Sequence, residues 1–152
     1  MQFTQDQARS LVGISAETLR YWRRVVPYLA SKPGKPARFS FADLVALAAT
    51  REAVGSLGLR ISRISLGVDA LFRLFAEAPW HSLDGAVAAL SPKAAELHYW
   101  DDVSRMGLAG PTILIPCGPM VQRLRDELLP SAATEVQQYL PFPPQSVRSA
   151  SQ

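Results

Sequence analysis

Residues 3–24, FTQDQARSLVGISAETLRYWRR, decide the reading of this chain. They spell two short helices joined by a tight turn, the second loaded with arginine. Thr4 is a favoured N-cap, and Gln7 three residues later completes a capping box, in which each residue's side chain accepts the other's unpaired backbone N–H. Phe3, just ahead of the cap, can staple onto Ala8. Ala8, Leu11 and Val12 then mark one buried helical face. Gly13 supplies the left-handed conformation with which helices often end. Ser15 caps the second helix almost at once. In that helix Leu19 and Trp22 share a face, and Ile14 leads into it. Thr18, Arg20, Tyr21, Arg23 and Arg24 are left to point largely away from the core. One helix braces while the next offers a polar, cationic face, the arrangement that a helix-turn-helix unit presents to the DNA major groove.

From Phe3 to about Phe75 the chain resembles the winged-helix DNA-binding domain of the MerR-type regulators. The resemblance rests on linked motifs: FTQDQARSLVGIS, TLRYW, the wing-like PGKPARFSFADL, and a helix ending at SLGLRISRI. Their order and spacing follow the family pattern across about half the chain. Two departures stand out. Arg23 and Arg24 occupy positions where the family usually carries an acid, which makes the helix more cationic. Arg60 stands where a serine cap is common. The resemblance implies double-stranded DNA as partner, read through Ser15, Glu17, Thr18, Arg20, Tyr21, Arg23 and Arg24, with Lys32, Lys35 and Arg38 on a wing.

Charge supports a polyanion partner for the first half. Residues 1–63 hold ten Lys/Arg against four Asp/Glu, whereas residues 64–152 hold six against nine, so a modest net charge of +3 hides a strong asymmetry. The single cysteine, Cys117, cannot form an internal disulfide, and a reducing, cytoplasmic setting is the simplest reading. No apolar run reaches the roughly 18 residues that span a bilayer, and the polar stretch over residues 2–9 does not read as a signal peptide.

Farther along, three prolines, a glycine and three cations over residues 27–38 argue against helix. They predict a loop or short hairpin whose Lys32, Lys35 and Arg38 reach phosphates, contacts that fix register and add salt-dependent affinity without reading bases. Ser40 caps a third helix, with Asp43 at its third position and a Phe39–Leu44 staple, running to about Ser56. Ile64, Val68, Leu71, Phe72 and Phe75 form the apolar stripe of a fourth helix, which Pro79 ends. No long coiled coil follows, unlike dimeric MerR-type regulators. Instead Ser82 is expected to cap a short helix over residues 83–90. Residues 97–103 and 112–115 read as two strands paired in a hairpin across the Gly107–Gly110 turn. Gly118-Pro119 opens a last helix with Met120, Val121, Leu124 and Leu128 on its apolar face.

The expected fold class is therefore mainly α with a small β component. A winged helix-turn-helix domain (residues 1–76) leads to a small α+β unit of hairpin plus helices (77–130) and a Pro/Ser-rich tail (131–152). The second unit buries little by itself. It is expected to pack on the first, on a second copy or on a partner, with the apolar edge at residues 112–115 as the segment to pair.

No catalytic constellation is legible. His98, Asp101 and Asp102 lie close in sequence, with His81 and Cys117 elsewhere, but none has paired-ligand spacing. No metal, cofactor or catalytic residue is expected. Cys117, beside a helix start, has a sensor reading and a buried-hydrophobe reading. Two functions remain. The first is a sequence-specific DNA-binding transcriptional regulator acting as a homodimer. The second is the DNA-binding antitoxin of a toxin–antitoxin pair, whose C-terminal half binds the toxin. FSFADLVAL resembles the third helix of a MerR-like subgroup that includes antitoxin-type proteins. Neither reading places the chain in a membrane.

Overall fold

The computed structural model describes residues 1–34 and 36–129; Lys35 and residues 130–152, which include the expected tail, lie outside them. The described chain is mainly helical with two small antiparallel sheets. It begins with β1 (Gln2–Phe3), α1 (Gln5–Val12) and α2 (Ala16–Val25). The Thr4–Gln7 capping box is formed in both directions, and Gly13 ends α1 at φ 82°. The Ser15 side chain accepts the Thr18 N–H at the start of α2.

The segment after α2 departs from the expected loop. Pro27 sits in the first turn of a short helix, α3 (Pro27–Ala30), where its missing N–H costs nothing. After residues 31–34 and 36–38 comes β2 (Phe39–Ser40), which pairs with β1 through Phe3↔Phe39 and Gln2↔Ser40. Helix α4 (Phe41–Arg51) starts on a second two-way capping box, Ser40 with Asp43, and widens into a π-turn at Glu52–Ser56. All eight residues from Asp43 to Thr50 are buried, so α4 is enclosed on every side. Helix α5 (Ile61–Glu77) buries the expected stripe of Ile64, Val68, Leu71, Phe72 and Phe75.

The C-terminal half is built differently from the expectation. Residues 80–85 form a 3₁₀ turn, and Ala86–Leu90, expected as helix, are the strand β3. Ser82 does not cap a helix; its hydroxyl donates to the Pro79 carbonyl. AVAAL carries helix-favouring alanines, but all five residues are buried, on both faces of the central strand. β4 (Ala95–Tyr99) and β5 (Ile113–Pro116) flank β3 and do not pair with each other: the sheet order is β4-β3-β5. The true hairpin is β3–β4, closed by residues 91–94, while Trp100–Arg105 leaves the sheet as another 3₁₀ turn. Helix α6 (Gly118–Leu128) follows.

A single apolar core crosses the 76/77 boundary. It joins Phe3, Leu19 and Leu47 to Leu83, Ala88, Val121 and Leu124. α6 packs on α4 and α1, and α5 packs on β3 and β4. The closest approach is at Gly67 of α5, whose N–H donates to the Pro92 carbonyl at 3.1 Å. A Cβ at this position would meet the Ser91 carbonyl oxygen at 2.0 Å. Among the described residues no helix is long and apolar enough to cross a membrane.

Gly67→Ala separates local propensity from packing. In an open helix the change stabilises by about 1 kcal/mol. Here the clash with backbone should reverse the sign, a net loss of about 2 kcal/mol or more, read from the urea midpoint. A stabilised variant would mean that α5 does not lie against the β3–β4 turn.

Candidate nucleic-acid interface

Helix α2 has two faces of opposite character. Leu19 and Trp22 are buried, and Val26, four residues after Trp22, continues the stripe. On the other side Glu17, Arg20, Tyr21 and Arg24 recur at intervals of three, one and three, and all four are exposed. The Arg24 guanidinium lies over the Tyr21 ring, 5.5 Å from its centre. Thr18 is half-buried and bonded to Ser15, whose hydroxyl donates to Thr18 Oγ1 at 2.9 Å. The outward surface of α2 thus consists of two free guanidiniums, one phenol and one carboxylate on a braced helix.

Arg23 does something else. It falls four residues after Leu19 and three before Val26, at the margin of the buried stripe. Its Nη1 donates to Gln5 Oε1 at 2.6 Å and to the Gly34 carbonyl at 3.4 Å. Its Nη2 donates to the carbonyls of Lys32 at 2.9 Å and Pro33 at 3.2 Å. One guanidinium therefore holds the residue 31–38 loop against α1 and α2. The fork geometry of arginine suits this clustered set of acceptors, which a lysine could not satisfy.

Lys32 is likewise turned inward. Its ammonium lies 3.1 Å from the buried Asp43 carboxylate, donates to the Arg38 carbonyl, and sits over the rings of Tyr28 and Phe39. Asp43 also accepts the Tyr28 hydroxyl at 2.8 Å and the Ser40 N–H at 2.9 Å. Tyr28 stacks on Phe72, and its backbone N–H donates to Asp69 Oδ1. Burial, then the bond to Asp43, pushes the Tyr28 phenol far above its ordinary range. Arg38, at the loop's far end, is exposed, its guanidinium near the carbonyls of Pro36 and Ala37. Lys35 lies outside the described residues.

The structure brings to this surface a residue noted in the sequence only as a family departure. Arg60, with Leu59, Ile61 and Ser62 at the start of α5, lines a cleft of about 530 Å³ shared with Glu17, Thr18 and Tyr21. The α5 start has no side-chain cap and no acid in its first turn. Its signal in the sequence was the arginine standing where a serine cap is common.

The remaining candidates do not assemble into chemistry. Among the described residues no three His, Cys, Asp or Glu side chains converge as a metal site. Asp101 and Asp102 lie on a 3₁₀ turn, and His98 Nε2 is 3.6 Å from Glu96. Cys117 is fully buried, and burial pushes its thiol up to about 11. The chain matches no protein-family model, no curated protein and no solved structure with significance.

Two measurements check these placements. Arg23→Ala removes a partly buried charged donor set and should cost about 2 kcal/mol in urea unfolding, with Arg23→Lys recovering little of it. Wild-type stability in both would place Arg23 in solvent. Cys117, protonated well above neutrality, should resist a disulfide-exchange reagent in the native protein at pH 8 and react promptly in denaturant. Fast native labelling would overturn its burial.

Proposed function

We propose that this chain is a sequence-specific double-stranded DNA-binding regulator of the MerR-like winged helix-turn-helix type, acting as a homodimer in the cytoplasm. The observation that carries the reading is the division of labour on α2. Its inner stripe is locked into the core, Arg23 fastens the neighbouring loop, and Glu17, Arg20, Tyr21 and Arg24 face outward together. A helix held this way can lie in a major groove with its N-terminal half at the base edges. Arg20 is the residue suited to a bidentate guanine contact, and Glu17 can accept from a cytosine amino group. In this reading the exposed Arg24 and Arg38 would meet phosphates on either side. The task of such a surface is binding and not catalysis.

A second reading keeps the DNA surface and adds a protein partner, as in an antitoxin. Trp80, Tyr99 and Trp100 favour it, since these large aromatic side chains of the C-terminal half are more than half exposed.

The test begins with selection of a duplex from a random library by the full-length protein, followed by gel-shift titration. Arg20→Ala should weaken binding to the selected duplex about tenfold or more, from the loss of roughly 1–3 kcal/mol of base discrimination, while binding to random DNA changes little. Arg38→Ala should act on all sequences alike and flatten the log–log salt dependence by about 0.9. Failure to enrich any duplex, or an Arg20 variant of wild-type affinity, would refute the assignment.

A further inference from the structure

Strand β5 is an open edge. It pairs with β3 on one side only, through Val87↔Pro116, Ala88↔Ile115, Ala89↔Leu114 and Leu90↔Ile113, and no described strand takes its other side. Its residues alternate as a half-covered strand should: Ile115 lies in the core while Leu114 is 40% exposed. An apolar groove of about 400 Å³ runs along this edge. Four consecutive β5 residues, Ile113 to Pro116, line it, which requires the backbone edge itself to face the groove. The opposite walls come from Glu52 of the π-turn and Leu57 just after it, and from Met120 and Arg123 of α6. Leu57 is 57% exposed. An uncovered apolar edge of this kind is a template for another strand.

The charges identify the strand that fits. Glu52 and Arg123 stand in the same groove yet form no ion pair with each other among the described residues. Among the described residues Arg123 Nη2 is buried with no hydrogen-bond partner, while Glu52 accepts only the Ser56 hydroxyl, at 2.7 Å. A two-fold interface is self-complementary: whatever residue i meets on the other copy, its counterpart meets in return. One acid and one guanidinium in the groove beside an edge strand can meet that condition: where Glu52 of one copy reaches Arg123 of the other, symmetry supplies the second contact.

We propose that β5 pairs antiparallel with β5 of a second copy of this chain, joining two three-stranded sheets into one of six. Leu57 and Leu114 are buried at the seam, and reciprocal Glu52–Arg123 pairs flank it. The proposal deepens the homodimer reading above and rests on it for its purpose, since two recognition helices are what a pseudo-palindromic site needs. Its geometry stands without DNA.

The test is sedimentation equilibrium of the full chain without DNA, with circular dichroism to confirm folding. The wild type should sediment at twice the chain mass of 16.6 kDa. Leu114→Lys, a change at an exposed position, should weaken self-association by about tenfold or more, equivalent to 1.4 kcal/mol. Glu52→Arg and Arg123→Glu should each dissociate alone, by like-charge repulsion, and associate when mixed one to one, because each then supplies the other's missing sign. The mixing result is specific to a reciprocal contact and would not follow from general destabilisation. A monomeric wild type overturns the proposal. So does a Leu114→Lys variant that stays fully dimeric, or a chain that associates only with a different protein recovered from its host. These readouts involve no DNA, so failure of the DNA assignment would leave the interface result intact, and a dimer formed elsewhere would leave the DNA assignment intact.

Discussion

The buried carboxylate of Asp43 is the point on which the N-terminal half is hung. It accepts the Ser40 N–H, the Tyr28 hydroxyl and the Lys32 ammonium, so it caps α4, fixes α3 and pins the start of the residue 31–38 loop at once. Removing one member of such a buried set strands the others, at a cost of about 3–5 kcal/mol, even though the intact pair adds little net stability over apolar packing. Its value is positional. Tyr28 relays the constraint to α5 through Phe72 and Asp69, and Arg23 ties the same loop to α1 and α2. The loop and α2 are thereby fixed relative to each other, which the proposed DNA reading requires of two elements that would share one site.

This constraint changes the meaning of the positive charge. A count of cations in residues 1–63 treats every arginine and lysine as available to a polyanion. The structure turns Arg23 and Lys32 inward, where each holds backbone carbonyls or a carboxylate. Arg20, Arg24 and Arg38 remain exposed, with Arg60 added from α5. Under the proposed function, a smaller set of exposed cations on rigid supports suits sequence reading better than a diffuse electrostatic patch would.

What was legible in the sequence was what local chemistry dictates. The capping boxes at Thr4 and Ser40, the positive φ of Gly13 and the stripe from Ile64 to Phe75 need only neighbours within a turn or two, and all are in place. The errors fell where partners distant in sequence decide. Ala86–Leu90 is a strand because β4 and β5 pair on both its sides and the core covers it, information that five small apolar residues do not carry. The strand pair expected across Gly107–Gly110 does not form for the same reason: β3 lies between β4 and β5 and pairs with both. In the candidate site, the outward stripe of α2 followed from helical periodicity. Arg23, expected to point outward to DNA, turns inward instead, because its acceptors are Gln5 and loop carbonyls whose positions no periodicity shows. Packing of the second unit on the first was one of three expected arrangements; that it occurs through α6 on α4 and α1 depends on contacts distant in sequence.

The central claim is that one face of α2 and the adjoining loop meet DNA while the sheet at the other end does not. Hydrogen–deuterium exchange of the full chain, with and without a selected duplex, tests it most directly. The account predicts new protection in Ala16–Val25, in the residue 31–38 loop and at the start of α5, with none added over Ala95–Arg105. Protection confined to the sheet and its 3₁₀ turns, with α2 unchanged, would contradict it.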